Sequence, residues 1–249
     1  MTSRLTIEYR GTAFAGWARQ PGQRTVQAEL ERALAIVLGE PAVTLTVGGR
    51  TDAGVHAWGQ VASYEGPPAR VAAVNALLPD DVAVIECVEA EPGFDARRDA
   101  TSRAYCYRLL ARPARSPHEH DRALHWARPL DRARLDECAH ALVGTHDFMA
   151  FTPTETDHVR FTRDVLVAHW TGEVPSLLEF WIEADAFMRH MNRVLVGTML
   201  EVARGTRTVA DFTGLLRGRG RSDAGVTAPA HGLYLVGIGY AGRRVLADA

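Results

Sequence analysis

Val43-Thr44-Leu45-Thr46-Val47-Gly48-Gly49-Arg50-Thr51-Asp52-Ala53-Gly54-Val55-His56, with residues 60–64 behind it, reads as a strand, a turn and a returning strand. Val43, Leu45 and Val47 alternate with threonines, the period of a half-buried strand. Gly48, Gly49 and Gly54 free the backbone for a tight turn that lifts the Asp52 carboxylate off a sheet edge. Arg50 leaves an extended segment on the same side as Asp52, and Trp58 and Gln60 follow, so the turn is predicted to carry a charged and aromatic rim. An Asp-Ala-Gly turn by itself is a common chain reversal. It is the company of Arg50 and the aromatic strand that nominates Asp52 as a site.

Outward from this hairpin the pattern alternates strands with short helices. Residues 5–9 alternate as a strand, and Thr25 is a helix N-cap for the spaced apolar residues Val26, Leu30, Ala33, Leu34 and Val37 before Gly39. A short helix is predicted over 71–78, closed by Pro79, and strands over 82–88 and 101–110. Tyr105 and Tyr107, two apart, share one face of the latter. A Pro- and Arg-rich connection over 112–129 separates a first half, 1–111, from a second, 112–249. The second half is read as a helix over 130–143, strands over 165–171 and 177–185, the longest helix over 187–203 and an almost continuously apolar strand over 233–240, the mark of a central strand. Two such halves make an α+β protein.

With 249 residues, 47% of them hydrophobic, the chain can bury a large core. No apolar run approaches the ~20 residues of a membrane span, and the N-terminus lacks the apolar core of a secretory signal, so a cytoplasmic protein is expected with no membrane partner. Cys87, Cys106 and Cys138 are odd in number and far apart, the pattern of isolated reduced thiols. A net charge of -2 is unusual for a nucleic-acid protein, but all 28 basic residues are arginines. They crowd two stretches, one with Arg97, Arg98, Arg103, Arg108, Arg112 and Arg115, the other with Arg204, Arg207, Arg217, Arg219 and Arg221. Such clusters are either solvated faces or phosphate-binding ones.

The hairpin motif Gly48 to His56 resembles the signature loop of the tRNA pseudouridine synthase A family. Other blocks follow in that family's order: Ile7-Glu8-Tyr9-Arg10-Gly11 with Gly16-Trp17; Val74-Asn75-Ala76-Leu77-Leu78-Pro79; Phe94-Asp95-Ala96-Arg97 with Ala100-Thr101-Ser102-Arg103-Ala104-Tyr105-Cys106-Tyr107; Phe187-Met188-Arg189-His190-Met191-Asn192-Arg193-Val194-Leu195-Val196-Gly197; and His231-Gly232-Leu233-Tyr234-Leu235. The resemblance implies the pseudouridine synthase fold, two similar halves with mixed antiparallel sheets joined across a central, arginine-lined RNA cleft. It implies a homodimer acting on uridines 38, 39 and 40 in the anticodon arm of tRNA, without cofactor or metal. It assigns Asp52 as nucleophile, Tyr105 as the ring that packs on the target base, Arg193 as the partner of the carboxylate, and Arg50 as the side chain that takes the place of the extruded base. A synthase acting on another RNA site and a non-catalytic RNA binder on the same scaffold are the alternatives.

Two look-alikes are set aside. Gly220-Arg221-Ser222-Asp223-Ala224-Gly225-Val226-Thr227 echoes the Asp52 loop but follows a helical segment instead of an alternating strand, so Asp223 is predicted to sit in a plain turn. His118-Glu119-His120 lacks the HExxH spacing of a helical zinc site. One departure from the family stands out. Asn192 and Val194 flank Arg193 where members often carry an apolar residue and an asparagine, so any contact made by that asparagine is lost or moved.

Overall fold

The computed structural model describes residues 1–156 and 158–246, which cluster into two compact units. The first comprises Met1–Arg103 with the stretch from Tyr234 onward, and the second runs Ala104–Leu233.

The first unit opens with β1, Thr2–Tyr9, which buries Leu5, Ile7 and Tyr9 on one face. Helix α1, Val26–Leu38, starts where the Thr25 hydroxyl accepts the Ala28 N–H at 3.4 Å and stops at Gly39 in the left-handed conformation, φ 70°. Strand β2 is only Thr46–Val47, shorter than the 43–47 predicted, because the Leu45 N–H is taken by the Glu31 carboxylate at 3.0 Å and so is withdrawn from any ladder. Strand β3, His56–Glu65, begins four residues before Gln60 and pairs antiparallel with both β2 and β1, Val47 lying opposite Ala62 and Ile7 opposite Gln60. Helix α2, Val71–Asn75, ends short of Leu78 as its last turn tightens, and the Asn75 amide brackets Val84 with bonds of 2.9 and 2.8 Å. Strand β4, Val82–Glu89, lines the other edge of β1. Strand β5, Ala100–Leu110, follows, and the two units divide within it.

In the second unit β6, Leu124–His125, runs parallel to β5, and α3, Arg132–Leu142, is capped by the Asp131 side chain. Strands β7, Gly144–Asp147, β8, Thr162–Thr171, and β9, Leu177–Ala184, form antiparallel neighbours in the order β9-β8-β7. Helix α4 is Met191–Ala203 and α5 is Val209–Leu215, the latter opened by a Thr208–Asp211 capping box. The predicted helix over 187–203 is thus four residues too long, and at 13 residues α4 equals α1 rather than exceeding it. His190 at φ 62° and the Met191 N–H turned onto the Met188 carbonyl break the helix before it starts. Helix α3 packs on α4, α5 and β8, around a core that includes Phe148, Phe151 and Phe212.

The closing strand β10, Leu233–Tyr240, returns to the first unit, where Tyr234 and Leu235 pair parallel with His56 and Ala57. The order there is β4-β1-β3-β10, antiparallel apart from this last pair, and the fold class is α+β with mixed sheet. Among the described residues no helix is long and apolar enough to cross a membrane.

Candidate active-site loop

Strand β2 delivers the chain at Val47 and β3 takes it back at His56, so residues 48–55 form the connection between two paired strands. Four of its carbonyls are caught. The Gly48 oxygen accepts from Arg103 Nε at 3.2 Å and Nη2 at 2.9 Å; the Gly49 oxygen accepts from Gln60 Nε2 at 2.6 Å. The Thr51 oxygen accepts the Trp17 N–H at 3.1 Å, and the Asp52 oxygen accepts the Val55 N–H at 3.1 Å, which closes the turn. The Thr51 hydroxyl meets the Tyr9 hydroxyl at 2.7 Å. Gly11 lies so close that a Cβ there would stand 1.9 Å from the Val55 carbonyl oxygen, so only glycine fits, and its N–H donates to His56 Nδ1 at 3.0 Å. That bond leaves His56 Nδ1 unprotonated as the acceptor.

Asp52 is partly exposed on this clamped turn and Arg50 is exposed beside it. The predicted rim needs correction. Gln60 is wholly buried, because its place opposite Ile7 aims it under the loop, and its amide holds loop backbone instead of facing substrate. Trp58 and His56 both stack on Tyr234, with ring centroids 4.4 and 4.5 Å apart. Sequence reading missed Tyr9, Gln60 and Arg103 as supports. The signal was present for Arg103, which alternates with Tyr105 and Tyr107 on β5, but a cluster of arginines invites an RNA reading first.

The second unit holds Tyr105 and Arg193. Tyr105 is 8% exposed and meets Phe187 edge-on, 5.0 Å between centroids at 79°. Tyr107, its partner on the same face, is spent on structure: its hydroxyl donates to the Pro229 carbonyl at 2.9 Å, and burial pushes the phenol well above its usual pKa. Arg193, in the first turn of α4, donates from Nε to the Ala228 carbonyl at 2.7 Å, while Ala228 N–H returns a bond to the Arg193 carbonyl at 3.0 Å. Arg189 and His190, expected on the same helical stripe, precede the helix, so only Gly197 shares the stripe, one turn on. A Cβ on Gly197 would stand 1.9 Å from the Val226 carbonyl oxygen, and Gly225 N–H donates to the Thr198 hydroxyl at 3.0 Å. The look-alike loop is therefore strapped along α4 from residue 225 to 228. Asp223 is exposed in the 3-10 turn Arg221–Asp223 that leads into it.

The displaced asparagine is visible too. Asn192 is 5% exposed and its Oδ1 has no hydrogen-bond partner among the described residues, while Val194 is fully buried. The arginine clusters divide between support and surface. Arg108 bonds Glu119 at 2.9 Å and Glu179 at 3.2 Å, Arg98 pairs with Asp99, and Arg207 with Glu201. Arg97, Arg115, Arg217 and Arg219 are exposed. Glu119 is thereby engaged with Arg108, and His120 lies against Asp121 at 3.1 Å.

A family model described as tRNA pseudouridine synthase matches residues 138–241. Relatives match over nearly the whole chain. The tRNA pseudouridine synthase A of Shouchella clausii is 40% identical over 242 residues, 94% of this chain and 91% of its own length. That of Chromobacterium violaceum is 42% identical over 95% of this chain and 92% of its own, and that of Frankia casuarinae 43% identical over 95% and 88%. With the signature loop between paired strands, Arg193 on α4 and this identity running from end to end, the chain belongs to the tRNA pseudouridine synthase A family.

Proposed function

We propose that this chain converts uridine to pseudouridine in tRNA with Asp52 as the nucleophile. The observation that carries the reading is the loop of residues 48–55, whose carbonyls at Gly48, Gly49, Thr51 and Asp52 each accept a bond and whose Asp52 is partly exposed, in a chain of this family. The reaction is an isomerisation. The N1–C1′ bond breaks, C5 bonds to C1′, N1 gains a proton and C5 loses one. Nothing is oxidised and no water is consumed, so a carboxylate that bonds to the substrate and later leaves is sufficient chemistry. Holding such a group in a rigid loop removes the entropy of orienting it.

In this reading Arg193 pairs with the Asp52 carboxylate and keeps it ionised. Tyr105 packs on the target base and sets its hydroxyl near the proton transfers, and Arg50 fills the place of the base as it leaves the stack. Residues 1–111 contribute the carboxylate loop and Tyr105, residues 112–249 the Arg193 helix, and no cofactor or metal takes part. The substrate is the anticodon arm, at uridines 38, 39 and 40, bound by a homodimer in the cytoplasm. Support for tRNA comes from the relatives, each named a tRNA pseudouridine synthase. Incubation with unmodified tRNA transcripts, followed by mapping of pseudouridine at single-nucleotide resolution, tests the proposal. Product at positions 38 to 40 is expected; product confined to another site moves the target, and no product on any tRNA overturns the reading.

A further inference from the structure

Gln60 is buried and all of its amide is used. Oε1 accepts the Val61 N–H at 3.2 Å, and Nε2 donates to the Gly49 carbonyl at 2.6 Å and to the Tyr9 hydroxyl at 3.3 Å. Turning the amide over would set two acceptors 2.6 Å apart at Gly49, so its orientation is determined by its neighbours. The Tyr9 oxygen therefore receives a bond, and its own hydrogen needs an acceptor, since Tyr9 is only 4% exposed. The hydroxyl of Thr51, 2.7 Å away, is that acceptor. A directed chain results, from the Gln60 amide to the Tyr9 hydroxyl to Thr51. Burial lifts the Tyr9 phenol to about 12, so its hydrogen stays in place across the working pH range.

The two ends of this chain grip Gly49 and Thr51, the residues on either side of Arg50. Thr51, 7% exposed, is drawn inward. Burial alternates along this stretch, with Arg50 exposed, Thr51 buried and Asp52 partly exposed, so drawing Thr51 inward sends Arg50 and Asp52 outward together. We propose that Tyr9 and Gln60 are positioning residues for the reaction: through Thr51 and the Gly49 carbonyl they set the direction in which Asp52 and Arg50 leave the loop. The proposal rests on Asp52 being the nucleophile, and neither Tyr9 nor Gln60 touches substrate.

Three variants test it: Tyr9→Phe, Thr51→Val, and the two combined, each assayed for melting temperature, kcat and KM on one tRNA transcript, with Asp52→Ala alongside. Tyr9→Phe keeps the ring contact with Trp17, 6.0 Å between centroids, and removes only the hydroxyl. Its kcat is expected to fall by roughly 10- to 100-fold, the cost of a small misplacement of a reacting group, with KM within about twofold. In the double variant both members of the Tyr9–Thr51 pair are removed and only the 3.3 Å bond from Gln60 Nε2 is still lost, so the melting temperature is expected to recover part of the way towards that of the parent. The kcat stays low, because the grip on Thr51 is still absent. Recovery of kcat together with melting temperature in the double variant overturns the proposal, as does a Tyr9→Phe enzyme with full kcat or one changed only in KM. If Asp52→Ala is inactive while the double variant is fully active, positioning fails and the nucleophile stands; if Asp52→Ala forms product, the nucleophile reading itself fails.

Discussion

Asp52 and Asp223 stand in nearly identical octets, and what separates them is the residue chemistry around each. At Asp52 the preceding carbonyls are held by Arg103 and Gln60 and the next turn by Gly11, whereas Asp223 is followed by a strap fastened to Thr198, Gly197 and Arg193. The alternating strand before Asp52 made this difference legible in the sequence, since a period of two predicts a paired, rigid flank. The inward role of Gln60 was not legible, because strand parity tells which residues share a face but not which face is buried. Asn192 shows the same limit: its mismatch with the family pattern could be read, but not that its Oδ1 would be buried without a partner. Leaving such a group unpaired costs about 1–3 kcal/mol. Asn192→Val is therefore expected to raise the unfolding free energy measured by urea denaturation by an amount in this range, and a lowered value would show that the amide is bonded in solution.

At the scale of elements, α1 was readable to the residue because Thr25 and Gly39 are physical stop signs for a helix, β1 was found by its alternation, and β4, β8 and β9 lie close to the strands read over 82–88, 165–171 and 177–185. Helix α4 was over-extended because Phe187 to His190 continue its apolar spacing, and nothing in that spacing announces a left-handed histidine. The packing of α4 against residues 225–228 yields a prediction. Gly197→Ala places a methyl against the Val226 carbonyl and should destabilise the fold by about 1–3 kcal/mol, measured by denaturant unfolding. In the first unit Arg24 grips Asp81 with bonds of 2.7 and 2.8 Å, tying the loop before α1 to the start of β4. The two hydrogen bonds from Arg24 hold the Asp81 carboxyl below its usual range. A depressed carboxyl contributes stability that is complete above its unfolded value and is lost as pH falls through the folded one. Asp81→Asn should therefore melt below the parent at neutral pH, and the gap should close as pH drops below about 4, where the parent loses the same bond. A gap independent of pH would deny the ion pair its role.

For the molecule as a whole, composition misleads in one respect and informs in another. A net charge of -2 conceals exposed arginines, yet several clustered arginines hold their own protein together, Arg103 on the loop and Arg108 between Glu119 and Glu179 among them. Clustering along a sequence therefore did not separate the guanidinium groups that face solvent from those that brace backbone, since only the folded neighbours of each decide it. The order of motifs, by contrast, carried the family over the full length, and the fold class followed from strands alternating with short helices. The loop of residues 48–55 is proposed to aim one carboxylate at a uridine, while its twin at 223 does no chemistry. The most direct measurement sets Asp52→Ala beside Asp223→Ala on a single tRNA transcript, with pseudouridine quantified per folded enzyme. Loss of product with Asp52→Ala and a rate within about twofold of the parent with Asp223→Ala is the expected pair of results. Pseudouridine formed by the Asp52→Ala enzyme at the parental rate would contradict the account.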